Sequence, residues 1–195
     1  MAMAMAMEIP DLVFHRGRLR ADLNIILSDP KAMSCLLAFN QISFRNRVLN
    51  HPDSYRDGVL RIYDYPNNTE HDFRYWSKGT PEYLLACLEQ MEVLLQPNYT
   101  IGRVRIMRQL PKTNLGLHVD DQNSFRWHVP IITHENAFFV SGTAKDPLRV
   151  LTMPEEGRLY QLNTTEFHSS INVDEERERF HLVVNVLSSS PAISC

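Results

Sequence analysis

Apolar positions recur with two different rhythms along this chain, and the change falls near residue 98. In the stretch 81–96, PEYLLACLEQMEVLLQ, the residues Leu84, Cys87, Leu88, Met91, Leu94 and Leu95 are spaced by three and four, which predicts an amphipathic helix. Thr80 is the expected N-cap, Pro81 suits the first helical position and Pro97 stops the element. Ala32, Cys35, Leu36 and Phe39 predict a second helix over 31–39. Residues 50–80 hold Pro, Asn, Asp and Gly among scattered aromatics and read as loop, with one strand at 59–63.

From residue 99 the period is two. Strands are predicted at 101–109, 115–119, 124–132, 136–141, 147–152, 158–162 and 179–187, separated by turn signals such as Gly142, Asp146-Pro147 and Pro154-Glu155-Glu156-Gly157. Many short strands, with the helices gathered towards one end of the chain, predict a mainly β protein: a β-sandwich or jelly roll with flanking helices on one face. The 195 residues suit one domain over 1–195, without an internal repeat. Within it, 1–10 are expected to lack structure, 11–97 to give a helical and loop support, and 98–188 to form the β core.

Composition narrows the function. A net charge of -3 gives no global field that would draw the chain to nucleic acid, and Arg103, Arg105 and Arg108 alone are a thin footprint for it. No apolar run approaches the ~18 residues of a membrane span. The three cysteines, Cys35, Cys87 and Cys195, form neither a disulfide framework nor a CxxC pair, so reduced thiols in the cytoplasm are expected.

The chemistry lies in the β half. In Gly116-Leu117-His118-Val119-Asp120, residues two apart on a strand share a face, so His118 and Asp120 can converge on one point. An imidazole and a carboxylate are two of the three ligands of a non-haem iron(II) facial triad. Asp121 follows directly and can substitute, although alternation favours Asp120. The third ligand must be a histidine from elsewhere, and His168 in Glu166-Phe167-His168-Ser169-Ser170 is the best candidate, with 47 residues between it and Asp120. Eleven positions after His168, Arg179 opens the apolar strand Arg179-Phe180-His181-Leu182-Val183-Val184-Asn185-Val186. An arginine there is costly without a partner, and a dicarboxylate, matched by the guanidinium fork, is such a partner; a salt bridge to Glu176 or Glu178 is the bland alternative. Arg126 and His128 share a face of Phe125-Arg126-Trp127-His128-Val129-Pro130 and also suit an anionic ligand, whereas Trp127 on the other face is expected in the core. His181 and Asn185 share the face of Arg179 and are equally suited to pocket or structural roles. His15, His51, His71 and His134 lie in loop-like text and are expected in solvent, as is the turn 174–178.

These pieces in this order resemble the iron(II)/2-oxoglutarate dioxygenases, and more narrowly the aspartyl/asparaginyl β-hydroxylase-like family, which includes free-proline hydroxylases. The matching text is RVRIMRQLPKTNLGLHVDDQNSFRWHVPI, then EEGRLYQLNTTEFHSSIN, then RFHLVVNV, within roughly residues 70–190. The resemblance implies a double-stranded β-helix (a cupin-like jelly roll). It implies iron(II) held by His118, Asp120 and His168, and 2-oxoglutarate held at its distal carboxylate by Arg179. Arg126 and His128 fall on the family's RxH pair beside the co-substrate carboxylates. The activity implied is oxygen-dependent hydroxylation of an unactivated C–H bond in an amino acid, an amino-acid side chain or a similar small metabolite, with succinate and carbon dioxide as co-products. The partner is then a small-molecule or peptide substrate. A non-redox β-fold holding zinc or another divalent ion and sensing a small organic acid is the alternative.

Overall fold

The computed structural model describes residues 6–59, 69–120, 124–143 and 147–189. The strand expected at 59–63 and the alternative ligand Asp121 fall almost wholly outside them. Twelve strands, three α-helices and a short 3-10 turn at Glu70–Asp72 make up the described chain.

The larger sheet has six strands in the order β1 (Ala6–Val13), β10 (Arg158–Leu162), β7 (Ser124–Ile132), β12 (Arg179–Ser188), β5 (Tyr99–Gln109) and β2 (Gln41–Ser43). The smaller has four, in the order β6 (Thr113–Asn114), β11 (Phe167–Asn172), β8 (Ala137–Gly142) and β9 (Arg149–Leu151). β3 (Arg45–Asn46) and β4 (Tyr75–Trp76) pair separately. Every pairing is antiparallel. Two antiparallel sheets with helices on the outer face of one make the expected jelly roll.

Alternation sorts each central strand into two faces. One face of the large sheet carries Val104 and Ile106 of β5, Trp127, Val129 and Ile131 of β7, and Phe180, Leu182, Val184 and Val186 of β12. These pack on Leu19, Leu23 and Ile26 of α1 (Arg16–Ser28), Leu36 of α2 (Pro30–Phe39), and Leu84, Leu88 and Met91 of α3 (Glu82–Leu95). Each such buried side chain contributes about 1.5–3 kcal/mol, so this layer is the main source of stability. The other face of the same strands looks at the small sheet and is polar. There Gln109 binds Ser170 twice, through Nε2 to its carbonyl (2.9 Å) and from its hydroxyl to Oε1 (2.6 Å).

Several expectations need correction. Residues 6–10 are not without structure: backbone pairing with Leu162, Gln161 and Tyr160 recruits the N-terminal segment as an edge strand. The helix α1 has a predominantly polar sequence, and its apolar stripe was not anticipated. His15 caps it, accepting from the Arg18 amide (3.3 Å), and Asp22 ties it to α3 by accepting from the Leu84 amide (2.7 Å). Pro81 rather than Thr80 is the N-cap of α3, because the Thr80 hydroxyl is spent on the Ser77 carbonyl (2.7 Å). Segment 115–119 is not a strand. The Gly116 amide donates to Asn114 Oδ1 (2.9 Å), and Gly116 adopts φ +71, which turns the chain out of the ladder. The side chain of His134 is 4% exposed and approaches Asp174 at 3.9 Å, so it is buried rather than solvated. Asp174 itself caps its turn, accepting from the Glu176 and Arg177 amides.

No helix among the described residues is long and apolar enough to cross a membrane. Cys35 and Cys87 are free and buried, and burial pushes each thiol up to about 11.

One glycine is dictated by the architecture. Gly157 adopts φ +80, donates to the Pro130 carbonyl (2.9 Å) and accepts from the Phe14 amide (2.8 Å). A Cβ there would stand 2.2 Å from the Phe14 carbonyl oxygen. Gly157→Ala is expected to cost at least ~1–2 kcal/mol and to lower the melting temperature by about 2–8 °C in thermal denaturation. An unchanged melting temperature would show that this crossing relaxes freely.

Candidate functional site

The chain brings His118, Asp120 and His168 together, although they do not share a regular strand. His118 rejoins the small sheet through a single two-way bridge to His168, with amide-to-carbonyl distances of 3.1 and 2.9 Å. The Asp120 amide donates to the Thr164 carbonyl (3.0 Å). One donor atom from each of the three lies within 4.8 Å of the others. His118 Nε2 is 3.8 Å from Asp120 Oδ1, and His168 Nε2 is 3.6 Å from Asp120 Oδ2. Ligands bound at ~2.1 Å to one ion stand about 3–4 Å apart, so small side-chain rotations suffice to close this set on a cation.

Both imidazoles are oriented in the same way. His118 Nδ1 lies 3.0 Å from the Gly116 carbonyl, and His168 Nδ1 lies 2.9 Å from the Glu166 carbonyl. A carbonyl only accepts, so each Nδ1 carries the proton and each Nε2 presents its lone pair to the shared point. Burial holds the His168 imidazole below its ordinary value, in the neutral form a metal requires. His168 Nε2 is buried without a hydrogen-bond partner. Buried polar atoms are seldom left so, and a divalent cation beside Asp120 satisfies it. The donor set, two nitrogens and a carboxylate, fits such an ion. The side chain of His168 is 3% exposed, against 38% for His118, so access is from the His118 side.

Arg126 Nη2 stands 2.7 Å from Asp120 Oδ2, the oxygen that also faces His168, and fixes the carboxylate. His128 is two residues further along β7, opposite Val183 of β12. It belongs to a buried cluster with His181, Phe139 and Arg179. The His128 ring lies 5.2 Å from Phe139 and 5.8 Å from His181, and the Arg179 guanidinium lies 4.9 Å over the Phe139 ring. Both nitrogens of each histidine, and Nε and Nη1 of Arg179, are buried without a partner. Desolvation keeps both histidines far below their ordinary values, with the nearby cations adding to the effect, so they are neutral. Burial alone pushes Arg179 down to about 9, which still leaves it a cation at neutral pH. The expected rival pairing does not form: Glu178 binds Arg108, and no carboxylate among the described residues pairs with Arg179. Trp127 is in the apolar core, on the opposite face.

Sequence reasoning missed β11, whose polar text FHSSIN lacks an apolar alternation. The usable signal was the alternation His168, Ser170, Asn172, all buried against a polar interior. It also left unassigned Arg105, Glu70 and Gln41, which line the same face.

No protein-family model matches the sequence, and no curated protein matches it. Solved structures do. The viral collagen prolyl hydroxylase vCPH of Paramecium bursaria Chlorella virus-1, in its 2OG complex, superposes with a TM-score of 0.58 at 12% identity, covering 97% of this chain and 98% of that one. HygX from Streptomyces hygroscopicus, with nickel and 2-oxoglutarate bound, gives 0.52 at 12% identity over 97% of this chain and 84% of that one. The non-heme monooxygenase ThoJ, in its nickel complex, gives 0.52 at 12% identity over 91% and 71%. The chain therefore has the jelly-roll fold of these non-heme oxygenases, built from the two antiparallel sheets described above.

Proposed function

We propose that this protein is an iron(II)- and 2-oxoglutarate-dependent dioxygenase that hydroxylates an unactivated C–H bond of an amino acid, an amino-acid side chain or a similar small metabolite. The observation that carries the reading is the pairing of His118, Asp120 and His168 with a buried, carboxylate-free Arg179 on one polar face of the jelly roll. The fold it shares with vCPH, HygX and ThoJ supports the same reading. The order HxD, RxH, H and R along the chain favours the aspartyl/asparaginyl β-hydroxylase-like branch. Two free, buried thiols suit a cytoplasmic setting.

Iron(II) at the triad would supply dioxygen activation coupled to decarboxylation of 2-oxoglutarate, giving succinate and carbon dioxide. The protein's share is placement. Three ligands on one side leave open positions for the co-substrate and oxygen. Arg179 receives the distal carboxylate as a bidentate, charge-assisted pair. Neutral His128 and His181 offer donors to the same anion without adding charge. Arg126 orients Asp120 and would add positive charge beside a co-substrate carboxylate bound there. The buried Phe139 ring packs under the Arg179 guanidinium and beside His128.

The test is succinate formation from 2-oxoglutarate by the purified protein under air. It should require iron(II), stop on chelation and return with iron(II) but not with zinc. Tight retention of one zinc ion, with no succinate after anaerobic iron loading and oxygen admission, would instead support a non-redox metal-binding β-fold.

A further inference from the structure

The small sheet has an outer side, turned away from the large sheet, and the pairing register says which residues it carries. His168, Ser170 and Asn172 of β11 point inward, to the candidate metal site and Gln109. Alternation sets Phe167, Ser169 and Ile171 on the outer side. Ile171 pairs there with Phe138 of β8, and Ser169 with Val140, which pairs in turn with Val150 of β9. An antiparallel strand with one solvated face normally reads apolar inward and polar outward. β11 reads largely the other way. None of the outward positions of β8, β9 and β11 carries a charge.

The three helices pack on the large sheet, and no element among the described residues shields this face. Val150 is 67% exposed and Phe167 43%, while Phe138, Val140 and Ile171 are half-buried. Four strands at ~4.8 Å and six residues at ~3.4 Å give a plane of about 19 by 20 Å at its widest, or roughly 400 Å². Side-chain relief adds to that area. So do the exposed Leu148 and Val173, which adjoin β9 and β11 in the chain, and Leu117 next to His118. With this margin the face approaches the ~800 Å² per subunit of a standard interface, and its apolar centre free of charge is what homodimer contacts show.

We infer that the outer face of the small sheet is the interface of a homodimer, in which it packs on the same face of a second copy of this chain. A two-fold contact sets each residue of a patch against residues of that same patch, so a charged patch would meet its like. An uncharged one does not, and the net charge of -3 on each chain opposes approach only weakly at ordinary salt. Sheet faces stack on one another ~10 Å apart, with their side chains interdigitated. Other occupants fit less well. A peptide strand adds to a sheet edge rather than to its face, and a lipid surface is met by lysine and arginine beside the apolar residues, which the outward positions lack. Because Leu117 neighbours His118, the contact borders the open side of the candidate metal site. The inference stands on register and burial and does not depend on the dioxygenase reading.

The experiment is sedimentation equilibrium of the full chain at about 1–100 µM, in ~0.1 M and ~0.5 M salt. The mass should rise with concentration from 22.6 kDa toward twice that value, with little effect of salt because the contact is apolar. Val150→Glu and Phe167→Glu should each raise the dissociation constant by about tenfold or more, since each copy would then bury a charge without a partner. Both residues are exposed in the single chain, so neither change should move the melting temperature of the dilute, monomeric protein by more than about 2 °C. Val93→Glu is the control. Val93 is an exposed apolar residue of α3, and its replacement should leave association unchanged. A protein that stays at 22.6 kDa throughout, a result that needs no variant to fold, would overturn the proposal and leave the face to a different partner. So would a dimer that both folded glutamate variants leave intact, one that Val93→Glu abolishes, or one that ~0.5 M salt takes apart.

Discussion

Replacing His168 with alanine is expected to reduce affinity for iron(II) by more than ~100-fold and to bring succinate formation to background. Loss of an outer partner of a metal ligand alone costs about 10–100-fold, and His168 supplies one of three direct donors. The backbone cost is small, because the bridge to His118 runs through main-chain atoms that alanine retains. His134→Ala is the matched control: its ring is as buried as that of His168, but it lies beside Asp174 rather than Asp120. It should lose stability without losing the metal. Metal titration of both variants, with circular dichroism to confirm folding, makes the comparison. Equal metal affinity in His168→Ala and the unaltered protein would remove the basis of the proposed centre.

Arg179→Met is expected to have opposite effects on stability and on binding. The guanidinium is buried, lacks a carboxylate among the described residues and is pushed down to about 9 by desolvation alone. An apolar side chain of similar length removes that penalty and keeps the contact with Phe139. The ligand-free variant should therefore be more stable, by about 1–3 kcal/mol, which is about 2–10 °C in melting temperature for a chain of this size. The folded-state value lies below the unfolded one, so the penalty is present in full below about pH 9 and shrinks above it. The advantage of methionine should narrow as the pH rises past that point. Affinity for 2-oxoglutarate, by contrast, should fall by about 30-fold or more, the usual cost of removing one partner from a buried charge pair. A variant that is both less stable and unchanged in 2-oxoglutarate binding would make Arg179 a structural residue.

How far the chain can be read without coordinates differs from element to element. β7 and β10 are found at the predicted bounds, and β5, β8, β9 and β12 within about two residues, because each alternates an apolar face with a polar one. α2 and α3 follow from apolar residues at helical spacing. β11 was illegible for the converse reason. Its inward residues His168, Ser170 and Asn172 are polar because they face the site and Gln109 rather than the hydrocarbon core. β1 was illegible because pairing with β10, not its own pattern, makes it a strand. His118 and Asp120 were named correctly as neighbours, but from a strand geometry that does not exist. A turn at Gly116 and two separate backbone hydrogen bonds bring them together instead.

The order of residues by itself determined the class of the fold, the apolar layer and the six side chains with metal and anion chemistry, since period and side-chain type are local properties. Only the tertiary structure decided which of these groups meet and which remain without a partner. Convergence of His168 with His118 depends on sheet register across 50 positions, and the lack of an acid beside Arg179 among the described residues depends on where those acids come to rest. A charge's cost is set by its surroundings, and those surroundings exist only once the two sheets have closed on each other.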